Sequence, residues 1–333
     1  MLSSLIILPS LLSLAAALPP RLPPILPPRA INTSTSPVPV PAGFSLTFAD
    51  DFSRPSALDT NNWKIDIGTK YPGGPEHWGT GEIQEYTSDR RNVFVSPAGK
   101  LNIVPIHDAT TGKWRSARIE TVHDGFNCTP GGQMIMEANI KLPKGGNQLG
   151  YWAAFWAMGK AFRDQGPYSW PGVGEWDVME AVNGGENIVG TLHCGTYPGG
   201  PCNEPIGRGS ETKITRGQFN KFALKIDRTA APQWQNEFLT WSVNGKQYHK
   251  ISGSDIANQT AWEALVHKPF FMLFNVAMGG AFPNAIAKLD TPVANTTSGL
   301  AMEIDYVAVY NKYSTNSTLK NVPKAQQPEE PLF

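Results

Sequence analysis

Cysteine is scarce in this chain, with three in 333 residues, and no Cys/His spacing matches a zinc site. Neither sign of charge dominates: 28 Lys and Arg balance 28 Asp and Glu. There is therefore no electrostatic case for a nucleic-acid or anionic-membrane partner. Charged residues make up only 17% of the chain, which argues against many long surface helices. Beyond the apolar run from Leu5 to Ala17, no segment is long and apolar enough to cross a membrane, and Pro9 interrupts that run. No internal repeat is present.

What the chain has in quantity is glycine (32), proline (29) and tryptophan (10), on a 41% hydrophobic background. This composition describes a sizeable core, many turns and a supply of rings that either fill that core or stack on sugars. Residues 1–17 read as a secretory signal ending in Ala15-Ala16-Ala17, although the usual basic start is missing. Five Asn-X-Ser/Thr sequons, at Asn32, Asn127, Asn258, Asn295 and Asn316, independently favour secretion and glycosylation. Residues 18–42 are Pro-rich and read as an extended linker or propeptide. The folded domain is expected over 43–313, followed by a polar tail at 314–333 for which disorder is expected. Cys194 and Cys202 bracket a short turn-rich loop that a disulfide could close, which leaves Cys128 as a buried free thiol.

Between residues 43 and 313 the pattern is strand upon strand. Leu101–Ile106, Met136–Leu142, Phe222–Ile226, Phe270–Ala277 and Met302–Tyr310 are strand-like. Leu239–Val243, Asn244-Gly245 and Lys246–Tyr248 read as a tight hairpin. Ser254–Val266 is the one longer helix expected. Many short antiparallel strands in about 270 residues imply an all-β sandwich or jelly roll, whose curved sheet offers a concave face to a polymer.

The stretch Glu175-Trp176-Asp177-Val178-Met179-Glu180 places three carboxylates within six residues. On a strand, alternate side chains share a face, so Glu175 and Asp177 point together while Glu180 points away. One β-bulge between Asp177 and Glu180 returns Glu180 to the first face. Three like charges in one cleft repel unless they perform chemistry, and a close carboxyl pair is what glycoside hydrolysis uses.

This stretch resembles the bulged catalytic signature of glycoside hydrolase family 16. Other blocks follow in the family's order: Phe48–Phe52, Gly81–Thr87, Ala117–Thr121, Met136–Pro143, Trp152–Trp156, Thr191–Cys194, Ala277–Gly280 and Ile304–Tyr310. The resemblance spans roughly residues 44–311. It implies a concanavalin A-like jelly roll and a retaining endo-hydrolase of β-1,3-linked polysaccharide that requires no cofactor and no catalytic metal. In that scheme Glu175 is the nucleophile, Glu180 the acid/base and Asp177 the assisting carboxylate, with Glu175 and Glu180 about 5–5.5 Å apart. The charges of Glu175 and Asp177 keep Glu180 protonated, and loss of the Glu175 charge on esterification then lets Glu180 act as base. His193, Trp152, Trp156, Glu137 and Asn139 are the expected substrate-binding residues, with Glu82 a weaker candidate. Asp305 and backbone near Asp51 are the expected holders of a structural calcium. The protein is expected to act as a monomer.

Three departures stand out: Trp176 after the first Glu, Asn139 where an Arg is common, and the loop from Cys194 to Glu204. They are similar to a fungal subgroup of endo-β-1,3-galactanases, which makes the galactan backbone of arabinogalactan proteins the expected substrate. The alternatives are an endo-β-1,3-glucanase (laminarinase), a transglycosylase of the same family, and a non-catalytic carbohydrate-binding sandwich.

Overall fold

Alternation of apolar and polar residues builds two large antiparallel sheets. Along Gln133–Lys141, Met134, Met136, Ala138 and Ile140 are fully buried while the intervening side chains point away from the core. A computed structural model describes residues 38–53 and 58–314. The expected signal at 1–17, most of the Pro-rich stretch 18–42 and nearly all of the tail 314–333 lie outside the described residues.

The first sheet has eight strands. Its order is Lys246–Ser252, Phe238–Val243, Phe219–Asp227, Gln133–Lys141, Met302–Lys312, Leu101–Ile103 and Val93–Val95, and Ser45–Asp50 also pairs with Met302–Lys312. The second has seven strands: Ser210–Lys213, Asn187–His193, Glu175–Val182, Tyr151–Gly159, Phe270–Met278, Arg118–Thr121 and Trp63–Asp66. A small three-stranded sheet (Glu85–Tyr86, Lys113–Ser116, Ile106–Asp108) accompanies them.

The sheets face each other across one apolar core. Met136, Phe222, Leu224 and Trp241 come from the first sheet, and Phe155, Trp176, Met179 and Phe274 from the second. Phe155 and Phe274 stack at 4.7 Å, and Trp176 stacks on Phe270 at 3.6 Å. Burial of each such side chain is worth about 1.5–3 kcal/mol. The core also reaches the second sheet's backbone, because Trp241 Nε1 donates to the Asp177 carbonyl across the sandwich at 2.8 Å. The hairpin at Asn244-Gly245 has both turn residues at positive φ (51° and 79°), as a two-residue turn of this hand requires.

The structure corrects two expectations and bears on a third. The helix expected over Ser254–Val266 is two helices, Gly253–Ile256 and Gln259–Val266. Ala257 turns left-handed (φ 53°) to end the first, and the Asn258 side chain caps the second by accepting from Ala261 N–H at 3.0 Å. Glu137 and Asn139 do not line a cleft. They project from the side of their strand opposite the inter-sheet core, where the Tyr306 hydroxyl donates to Glu137 at 2.8 Å, Lys221 lies 3.5 Å from it, and Asn139 donates to Asp305 at 2.9 Å.

The third concerns calcium. One Asp305 carboxylate oxygen is paired with the Lys100 ammonium and the other accepts from Asn139. The Asp51 carboxylate accepts from the Ser53 backbone amide at 3.1 Å. An ammonium placed on Asp305 supplies the positive charge that a metal would bring, so this carboxylate is already neutralised within the chain.

Candidate active site

The second sheet's outward face carries the candidate site. Strand Glu175–Val182 lies between Tyr151–Gly159 and Asn187–His193. The register breaks on both sides. Towards Asn187–His193 it shifts between Asp177 and Glu180, and towards Tyr151–Gly159 between Phe155 and Trp156. This is the expected bulge, and Val178 and Met179 both turn into the core within it. Two consecutive inward side chains restore the outward direction at Glu180, so Glu175, Asp177 and Glu180 share the outer face. The backbone accepts this arrangement because Val178 and Met179 gain apolar burial and Trp241 bonds the Asp177 carbonyl.

His193 stands directly across from Glu175 in register. Ligating atoms of Glu175, Asp177 and His193 all fall within 4.8 Å of one another. His193 Nε2 is 3.2 Å from Asp177 Oδ2, an ion-pair contact outside hydrogen-bond alignment, and that buried oxygen has no hydrogen-bond partner among the described residues. On its other side, His193 Nδ1 meets Glu204 Oε2 at 2.7 Å. Trp152 Nε1 donates to Glu180 Oε1 at 2.9 Å.

Electrostatics follow from this crowding. Burial, then the Asp177 charge, pushes Glu180 up to about 8, against the opposing pull of His193 and of the Trp152 N–H. Burial and Asp177 likewise hold Glu175 well above the usual carboxyl range. Burial alone would neutralise His193, but Asp177 and Glu204 outweigh it and hold the imidazole well above its ordinary pKa, hence charged at pH 7. The cluster is thus one imidazolium among four carboxyl groups, two of which, Glu175 and Glu180, are pushed towards their protonated forms.

Of the expected binding residues, Trp152 and His193 lie at this cluster. Trp156 shares the face of Trp152 but is only 9% exposed. Its N–H goes to Asn275 at 2.8 Å, and the Arg118 guanidinium covers its ring at 4.7 Å. Its faces are not available as a sugar platform, because Arg118, itself stacked on Tyr71 and Trp78, closes that end. Glu82 is buried and accepts from Thr80, Gln84 and Tyr86, which makes it a structural carboxylate. Sequence reasoning missed Trp170, whose ring lies 5.7 Å from that of His193, and Tyr197, 62% exposed and 6.4 Å beyond Trp170. It also missed Glu204 as a site residue. The signal lay in the expected loop closure: the Cys194–Cys202 disulfide is present, and a carboxylate two residues past it must return beside His193.

Known proteins resemble the chain over this same region. No family model matches it. The crystal structure of an endo-1,3-β-glucanase from Streptomyces sioyaensis superimposes with a TM-score of 0.77 at 40% identity, covering 83% of this chain and 99% of that one. A glucan endo-1,3-β-glucosidase A1 of Niallia circulans is 30% identical over 298 residues, or 85% of this chain. The chain spans only 40% of that relative's length. A non-specific endo-β-1,3(4)-glucanase described as a member of family GH16 gives a TM-score of 0.61 at 26% identity, covering 83% of this chain and 97% of that one.

Proposed function

The chain belongs to the endo-β-1,3-glucanases of the glycoside hydrolase family 16 type, and on that premise we propose that it is a retaining, endo-acting β-1,3-glucan hydrolase. The observation that carries this reading is the bulged strand, which turns Glu175, Asp177 and Glu180 onto one face beside His193. Pure binding needs no such repulsion.

In this reading Glu175 attacks the anomeric carbon and Glu180 donates its proton to the leaving oxygen. Both carboxyls are raised when the cleft is empty, so position distinguishes their roles. Glu175 lies across from the His193 imidazolium, which favours its ionised, attacking form. Glu180, beyond the bulge, keeps the proton and serves as acid. Asp177 sustains that proton by charge, and its Oδ2, ion-paired with His193, makes no hydrogen bond among the described residues and so keeps accepting capacity towards the reacting groups. When Glu175 becomes an ester its charge is lost, the pKa of Glu180 drops, and Glu180 activates the water that releases the sugar. Trp152 orients Glu180 through its indole N–H.

Glucan is favoured over galactan because these relatives carry glucanase names. We also read the chain as secreted, on its five sequons and on a disulfide suited to an oxidising compartment. The test is incubation with laminarin, lichenan, debranched β-1,3-galactan and agarose, with Glu175→Gln as control and product anomers followed by proton NMR. Laminarin cut to mixed short oligomers with β-retention is the expected result. Cleavage of galactan alone would restore the galactanase reading. Binding without cleavage of any polymer would leave a lectin-like sandwich, and products longer than the substrate would indicate transglycosylation.

A further inference from the structure

The disulfide-closed loop after strand Asn187–His193 does more than cover an edge. The Glu204 side chain is fully buried. Its two oxygens are both assigned: Oε1 accepts from the Cys194 backbone N–H at 2.8 Å, and Oε2 faces His193 Nδ1 at 2.7 Å. Gly207, at φ +76°, lets the loop press down, since a Cβ there would lie 2.7 Å from His193 Cε1 and 2.5 Å from Thr191 Cγ2. The groups facing the imidazole are therefore Glu204 from the loop, Asp177 and Glu175 from the bulged strand, and the Trp170 ring.

A carboxylate accepts and never donates when ionised, so Glu204 requires the proton on Nδ1. That fixes the ring's orientation and turns Nε2 to Asp177. Buried without Glu204, the imidazole would lose charge and could rotate or change tautomer.

We propose that Glu204 is a positioning residue for the hydrolytic reaction, which the loop delivers to lock His193 as an Nδ1-protonated cation beside Asp177 and Glu175. The consequence rests on the reading of Glu175 as nucleophile. When Glu175 is esterified and Glu180 has given up its proton, the negative charge moves from the residue opposite His193 to Glu180 beyond the bulge, and an imidazolium with Asp177 as its sole adjoining carboxylate would hold its proton less tightly. Glu204 supplies a second fixed counter-charge outside the reacting groups, so His193 stays charged through both half-reactions and is ready to favour the carboxylate of Glu175 as it is expelled.

Nitrogen-15 NMR of the histidine rings in the full chain, with His193→Asn used for assignment, tests the premise without any substrate. His193 should be doubly protonated at pH 7. In Glu204→Gln, whose amide can offer a donor to Nδ1, it should be neutral with the proton on Nε2. A wild-type His193 that is neutral at pH 7, or that carries no proton on Nδ1, overturns the proposal even if Glu204→Gln fails to fold. On laminarin, Glu204→Gln should lower kcat about 10- to 100-fold, with KM within about threefold. Glu204→Gln combined with His193→Asn should be no slower than His193→Asn alone, because one acts through the other. Full additivity of the two effects, or wild-type kcat in Glu204→Gln, would sink the idea. A wild-type chain inert on laminarin would remove the glucanase reading but leave the NMR result standing.

Discussion

A buried glutamate and a half-buried one on this molecule have nearly the same neighbours in kind and opposite fates. Glu237 accepts from Trp262 Nε1 at 2.9 Å, lies 2.6 Å from a histidine (His267) and is paired with Arg228 at 3.0 Å. Glu180 also accepts from an indole N–H at 2.9 Å and also feels a histidine, but its other close neighbour is Asp177. Burial raises both pKa values. Arg228, His267 and Trp262 overcome it at Glu237, which ends below the ordinary carboxyl range, whereas Asp177 adds to it at Glu180, which ends near 8. Burial does not mark a site by itself. What separates the structural carboxylate from the candidate catalytic one is whether the protein neutralises it.

Isosteric amides at the two places should sharpen this contrast. Glu175→Gln, in the unneutralised cluster, should lower kcat roughly 10⁴-fold or more on laminarin, because no nucleophile remains. Glu237→Gln should leave kcat within about twofold but destabilise the fold by about 3–5 kcal/mol, since it strands Arg228 in the interior. Calorimetry beside a kinetic assay separates the two. A Glu237→Gln enzyme that is stable but inactive would break the comparison.

A smaller effect should come from the charge that distinguishes the two glutamates. Protonated Glu180 is the active acid, so kcat/KM should fall as pH rises through its pKa, giving an alkaline limb near 8. Asp177→Asn removes a charge that disfavours ionisation of Glu180, so the limb should move to lower pH while kcat drops about 10- to 100-fold. A limb that stays in place or moves up in a full pH–rate profile would show that Asp177 does not set the proton on Glu180.

The bulged strand was legible because its signal is local. Three acids interleaved with Trp176, Val178 and Met179 require a bulge if all the acids are to leave the core, and the register shows one. The hairpin at Asn244-Gly245 was legible for the same reason, as was the pairing of Cys194 with Cys202. Glu137 and Asn139 were misplaced because alternation says which residues share a face, not which sheet the strand joins or which side of it is the cleft. Trp156 was misjudged because the guanidinium that covers its ring belongs to Arg118, 38 positions away. Glu204 was overlooked as a site residue although the expected Cys194–Cys202 closure keeps it near His193; what the sequence does not show is how the loop folds back onto the ring. Long-range closure of this kind has no periodicity to read.

The first sheet's outer face gives the same lesson at its weakest, and there it can be tested by metal removal. Asp305 is about a third exposed and is neutralised within the chain by Lys100 and Asn139. If that ammonium is the resident cation of the site, chelation has nothing to extract, and EDTA should move Tm by less than about 1 °C. Lys100→Met keeps the stem's packing and deletes the charge. At this exposure the loss should be only about 0.5–1 kcal/mol, or roughly 1–2 °C for a domain of this size. The vacancy so created is the informative part. Asp305 would then face the Asn139 amide without a cation, and millimolar calcium should restore Tm in Lys100→Met while leaving the wild type unmoved. A wild-type chain stabilised by several degrees on adding calcium would mean that Lys100 yields its place to the metal, and that this carboxylate, like those of the cleft, is left unneutralised by the chain itself.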